Sequence, residues 1–157
     1  MPLTKIKEFL DEHNIKYTII KHSAAYTAQE IAASAHISGR ELAKTVMIKI
    51  EGKIAMAVLP AYFKISFDQL KSVLNVENVR LAYEQEFSNK FPDCEVGAMP
   101  PFGNLYGMEV YVAESLADDE EIAFNACYHT ELIKMKYKDF ENLVKPKRLI
   151  FSTLTKV

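Results

Sequence analysis

Residues 44–60 read KTVMIKIEGKIAMAVLP. Two apolar-rich runs, 44–50 and 54–60, flank Glu51-Gly52-Lys53, a short glycine-containing connection of the kind that closes a β-hairpin. Side chains alternate along a strand, so Lys44 shares a face with Val46, Ile48 and Ile50, while Lys49 shares the other with Thr45 and Met47. A lysine at the end of an apolar face has two readings. It points into a concavity, or its stem covers core atoms while the ammonium reaches water. The pattern alone leaves both open for Lys44. Lys49 reads as a solvated charge.

Outward from the hairpin, the periodicity alternates between helix and strand. Leu3, Ile6, Phe9 and Leu10 have helical spacing over residues 3–13, and YTIIKH at 17–22 reads as a strand. Thr27-Ala-Gln-Glu30 and Ser66-Phe-Asp-Gln69 are capping-box patterns that introduce helices through about Ala35 and Leu74. Residues 84–91 read as helix. Residues 108–116, 121–127 and 131–135 read as strands, with an acidic turn at 118–120. Asp139 is a candidate cap for a short helix ending before Pro146, and residues 149–152 a closing strand. Hairpins mixed with isolated helices argue against regular βαβ alternation. The expectation is a mixed α+β fold, a curved sheet surrounded by short helices, forming one domain over 1–157.

Composition narrows the function classes. The 157 residues are 49% hydrophobic and 25% charged, as in an ordinary soluble domain. The longest apolar run, 54–63, is interrupted by Pro60 and falls short of a membrane span of roughly 20 residues, so no membrane association is expected. The N-terminal residues do not resemble a signal peptide. Two cysteines, Cys94 and Cys127, suggest free thiols in a reducing cytoplasm. A net charge of −2 argues against a generally basic nucleic-acid binder, and no DNA partner is expected. The charge is uneven, however. Residues 109–131 hold seven acidic residues and no Lys or Arg, whereas 132–157 hold seven Lys/Arg against two acidic residues. A local basic face of Lys134, Lys136, Lys138, Lys145, Lys147 and Arg148 is a candidate for meeting an RNA backbone. A solvated helix face is the alternative.

Several catalytic signatures are absent: there is no Walker-A sequence, GxGxxG, GxSxG or CxxC. The four histidines lack zinc-ligand spacing, so no metal is expected. Cys127 and His129 lie two apart on an expected strand, but a buried cysteine usually behaves as a small hydrophobe. The other unusual stretch is VGAMPPFGNLYG at 96–107. It holds three of the five glycines and two of the six prolines in the chain. Such a loop is stiff, and its glycines would let backbone N–H groups approach a ligand or a developing oxyanion. A surface turn is the other reading.

Four segments in order resemble the YbaK-like family of aminoacyl-tRNA deacylases, relatives of the editing domain inserted in bacterial prolyl-tRNA synthetases. They are His22 with Tyr26-Thr27-Ala-Gln-Glu30, then Ala43-Lys44-Thr45, then Cys94 through Gly103, and finally Phe124-Asn125-Ala126 through His129-Thr130-Glu131. The resemblance implies hydrolysis, in trans, of the ester of a tRNA mischarged with a small amino acid. It implies Lys44 as the catalytic residue, and water as nucleophile aided by a ribose hydroxyl. Substrate contacts would come from His22, Tyr26, Thr27, Gly97, Met99, Pro101, Phe102, Gly103 and His129. No cofactor is implied. The acceptor end of an aminoacyl-tRNA is the implied partner, with an aminoacyl-tRNA synthetase as a second candidate. Gly103 would owe its identity to left-handed backbone. One departure stands out: Cys127 and Tyr128 occupy positions where the family usually has a glycine and a small residue. That departure sustains a second reading, a non-catalytic domain of the same fold that binds a tRNA end, a nucleotide or a synthetase.

Overall fold

In the computed structural model, which describes residues 4–25, 28–35 and 41–154, the hairpin closes through Glu51 and Gly52. Both have positive φ, 46° and 84°, the backbone whose twist matches that of the flanking strands. The Glu51 carboxylate accepts hydrogen bonds from the backbone N–H groups of Glu77 and Asn78 and from the Asn78 amide, which lowers its pKa and ties the turn to the next segment.

The chain runs α1 (Lys5–Glu12), β1 (Tyr17–Lys21), α2 (Ala28–Ala35), β2 (Ala43–Ile50), β3 (Lys53–Pro60), β4 (Phe63–Ile65), α3 (Phe67–Leu74), β5 (Val79–Leu81) and α4 (Glu84–Phe87). It continues with β6 (Glu109–Ala113), α5 (Glu114–Ala117), β7 (Glu121–Asn125), β8 (Glu131–Lys136), α6 (Tyr137–Val144), β9 (Lys147–Leu149) and β10 (Ser152–Leu154). The mixed α+β class is as expected, but the described strands form three sheets and not one. The five-stranded sheet has the order β5-β2-β3-β6-β9, a second sheet is β1-β8-β7, and β10 pairs with β4. A parallel bridge between Leu42 and Ala123 joins the first two sheets beside β2. Ala123 N–H donates to the Glu41 carbonyl there, at 2.9 Å.

Local signals account for most elements. Ser66 accepts from the Gln69 N–H and caps α3, which ends in left-handed Asn75. Thr27 lies outside the described residues, although α2 begins directly after it. Three expectations need correction. Glu114–Ala117 is helical and not a strand, because Leu116 turns into the core after β6 ends. Helix α6 starts at Tyr137, two residues before Asp139, since burying Tyr137 and Phe140 together sets its register. The closing strand is broken at Ile150–Phe151, where fully buried Phe151 leaves the sheet edge and packs with Leu59 and Leu70.

Two large clusters form the core on either side of the hairpin. Met47, Met56 and Val58 face Phe102, Phe124 and Phe140, while Ile48, Ala57 and Leu59 face Leu70, Tyr111 and Phe151. The faces of β2 thus divide as period 2 requires. Among the described residues no helix is long and apolar enough to cross a membrane.

Candidate active site

Lys44 stands at the start of β2, half-buried, on the wall of a cavity of about 140 Å³. Ile31, Leu42, Ala43, Thr45, Gly97 and Asn125 complete its lining. No carboxylate lines it, and among the described residues none pairs with Lys44. Burial without a counter-charge disfavours the ammonium and lowers the Lys44 pKa below the ordinary lysine range. The other end of the strand differs. Lys49 was expected to be solvated, but its ammonium lies 2.7 Å from Glu86, which Arg80 also binds at 2.8 Å. The reason is strand pairing: β5 sets Arg80 opposite Lys49, and α4 then supplies Glu86.

The loop at 94–103 reaches the cavity through Gly97. Its φ is +89°, and a Cβ there would sit 3.3 Å from His129 Cε1. The backbone angle favours glycine, and a Cβ would in addition press on the His129 ring. His129 braces the loop: its N–H donates to Glu95 Oε1, and its Nε2 lies 2.9 Å from the Val96 carbonyl oxygen. The His129 carbonyl in turn accepts from Ala25, and Thr130 accepts from the His22 N–H, so the segment after β1 joins the assembly. His22 Nδ1 lies 2.7 Å from the Ser23 carbonyl oxygen. Its buried Nε2 has no hydrogen-bond partner among the described residues.

The remaining expected contacts are placed differently. Pro101 is buried. Met99 is in the core and receives the Gly97 N–H on its sulfur at 3.1 Å. Phe102 is fully buried against Phe124 and Phe140, with ring centroids 5.5 Å away in each case. Gly103 lacks the left-handed backbone expected of it. A Cβ there would meet the Met108 carbonyl oxygen and Val110 Cγ2, each at 2.7 Å, so packing explains the glycine. The prolines and aromatics anchor the loop from within, and Gly97 presents its edge. Tyr26 and Thr27 lie outside the described residues.

The free-thiol expectation is corrected. Cys94 and Cys127 are joined in a disulfide, with Cα atoms 4.2 Å apart. Backbone pairing brings them together: Glu95 N–H donates to the Cys127 carbonyl and Cys127 N–H to the Ala98 carbonyl. Cys127 lies beyond the end of β7, not on it, in left-handed backbone with φ 75°. That is the position where the resembled segment carries glycine. Its sulfur, fully buried and bonded, is no nucleophile for His129. Asp93, Cys94 and Cys127 are the ligand-type cluster among the described residues, and two of its three donors are consumed by the bridge.

The basic residues of the C-terminal third are spread over several elements. Lys134 lies on β8 and pairs with Glu41 at 3.7 Å, whereas Lys147 and Arg148 lie on β9 of the other sheet. Lys147 is 4.0 Å from Glu109, and Arg148 is 2.8 Å from Glu141. Lys136, Lys138 and Lys145 are exposed around α6, without a carboxylate partner among the described residues.

Asn125 lines the cavity as well; the sequence places it in the late resembled segment without giving it a role. It ends β7 two residues beyond Ala123, as Lys44 lies two residues beyond Leu42, the partner of Ala123 in the isolated parallel bridge. The available signal was a lone amide in the apolar run IAFNA.

Residues 22–143 match the aminoacyl-tRNA editing domain family. No curated protein matches this sequence. Among solved structures, the hypothetical protein APE2540 superposes with a TM-score of 0.84 at 18% identity, over 95% of this chain and 99% of the other. A candidate trans-editing enzyme for prolyl tRNA synthetase gives 0.80 at 15% identity, over 97% and 99%. A candidate signal transduction protein from Marinobacter aquaeolei VT8 gives 0.75 at 16% identity, and there this chain covers 31% of the larger one. At these identities the structures speak for the fold.

Proposed function

This chain belongs to the aminoacyl-tRNA editing domain family, and from that premise we propose that it is a trans-acting deacylase. It hydrolyses the ester of a tRNA mischarged with a small amino acid, as one domain over 1–157, in the cytoplasm where charged tRNAs are used. The observation that carries this reading is Lys44, half-buried and without a counter-charge among the described residues, on the wall of a small cavity beside left-handed Gly97. An uncompensated ammonium beside a cavity is available for the developing charge on an ester carbonyl oxygen, or for a phosphate of the terminal nucleotide. Water is the nucleophile, and a ribose hydroxyl of the substrate assists it.

Discrimination by size suits this task. One methylene separates two small side chains by only about 1–3 kcal/mol in a synthetase pocket, so a second site adds selectivity. The Cys127 departure weighs less against catalysis than the sequence suggested, because its side chain points into the bridge and is not part of the cavity lining. Exposed Lys136, Lys138 and Lys145 are the best candidates for phosphate contacts. A synthetase remains the candidate protein partner.

The test is a deacylation screen over purified tRNAs charged with small non-cognate amino acids. Release of one amino acid above the spontaneous rate supports the reading. Retained tRNA binding with no release from any of them favours the non-catalytic domain.

A further inference from the structure

Among the described residues the Asn125 side chain has no hydrogen-bond partner, and its Oδ1 is buried without a donor. Leaving a carboxamide oxygen so is costly, and native structures rarely do it without reason. Asn125 also lines the cavity that Lys44 lines. The torsion that orients a terminal amide is soft, and a half-turn about it exchanges Oδ1 and Nδ2, so either end can be presented to the cavity.

The cavity, at about 140 Å³, is too small to admit a nucleoside. Whatever meets Asn125 is therefore the acyl head of the substrate. In an aminoacyl ester with an apolar side chain, the carbonyl and ester oxygens are acceptors only. The single donor is the α-amino group. Its ordinary pKa is about 7.7–8.0, and the neighbouring Lys44 ammonium favours its neutral form. A neutral amine suits a neutral amide oxygen. The carbonyl oxygen, an acceptor, is left for Lys44.

We infer that Asn125 is a specificity-determining residue that accepts a hydrogen bond from the α-amino group of the acyl head, so that the site takes 2-amino acyl esters and rejects acyl esters lacking the amine. This rests on the deacylase reading of the same cavity.

The test uses two non-hydrolysable ligands, the alanyl and propionyl amides of 3′-amino-3′-deoxyadenosine, which differ by the amine. The wild-type protein is expected to bind the alanyl amide about tenfold or more tightly, the size expected for one hydrogen bond to an otherwise orphaned acceptor. Asn125→Ala should bind the two alike. Asn125→Asp, which keeps an acceptor oxygen, should retain the preference. Thermal melts identify a variant that has lost its fold, and in that event the wild-type ratio alone decides. Equal wild-type affinities, no binding of either amide, or an unchanged preference in a folded Asn125→Ala overturns the inference. Hydrolysis of alanyl esters by the wild-type protein is measured separately. Preference without hydrolysis would sink the deacylase reading and leave Asn125 assigned; hydrolysis without preference would do the reverse.

Discussion

The two ends of β2 carry the same residue type in opposite circumstances. Lys44 is half-buried beside a cavity, faces no carboxylate and has a lowered pKa. Lys49 shares Glu86 with Arg80. The surroundings are fastened differently too. A disulfide and a braced loop hold the Lys44 end, while ion pairs at the protein surface hold the Lys49 end. An ammonium without a counter-charge gains little for stability, so its presence is better explained by a ligand. One that shares a carboxylate is accounted for by the fold.

The largest expected effect separates the two lysines. Lys44→Ala should lower ester hydrolysis by roughly 100-fold or more, about 3 kcal/mol, while the protein stays folded. Initial rates on one mischarged tRNA, with thermal melts alongside, check this. Equal small effects from Lys44→Ala and Lys49→Ala would break the comparison.

Loss of the covalent tie comes next. A bridge spanning a sequence separation of 33 residues contributes about 2–4 kcal/mol by limiting the unfolded chain. Denaturation with and without reductant should show a loss of this order. Non-reducing mass spectrometry of the folded protein should find both thiols consumed.

Gly103→Ala should cost about 1–3 kcal/mol through overpacking against Met108 and Val110. The remaining folded fraction should hydrolyse substrate normally. A fall in turnover at unchanged stability would place Gly103 in the site after all.

The pH dependence sharpens the contrast. Because burial lowers the Lys44 pKa, the unfolded chain keeps a proton that the folded one has released between the lowered value and the ordinary one near 10.4. Stability from this site therefore rises with pH across that alkaline window, and its cost is fully present below it. Hydrolysis, corrected for the spontaneous rate, should instead fall as the ammonium is lost, beginning below the ordinary lysine range. Lys44→Met should abolish both trends. The Lys49 end responds to acid: Arg80, then Lys49 and the Tyr83 N–H, hold the Glu86 pKa far below the usual carboxylate range. Its contribution is present above about pH 4.3 and fades as pH falls toward the lowered value.

The smallest effect belongs to Lys49→Ala. Arg80 still satisfies Glu86, and a partly exposed pair contributes about 0.2–1 kcal/mol. The melt should shift by no more than that, and less in high salt.

Sequence by itself determined the hairpin, the Ser66 cap, the period-2 division of the β2 faces and Lys44 as a residue with two readings. Each depends on neighbours within a few positions, where backbone sterics and hydrogen bonds act directly. Family resemblance added the order of segments and drew attention to Gly97 and His129. Only tertiary structure decided between the readings of individual side chains. It turned Phe102 and Gly103 inward, joined Cys94 to Cys127, gave Lys49 a partner 37 residues away and set Asn125 beside Lys44. These outcomes follow from which strands pair, since a strand's own pattern states its two faces but not what lies opposite each. The bridge at Leu42 and Ala123, between residues distant in sequence, is what turns a lysine and an amide into one cavity.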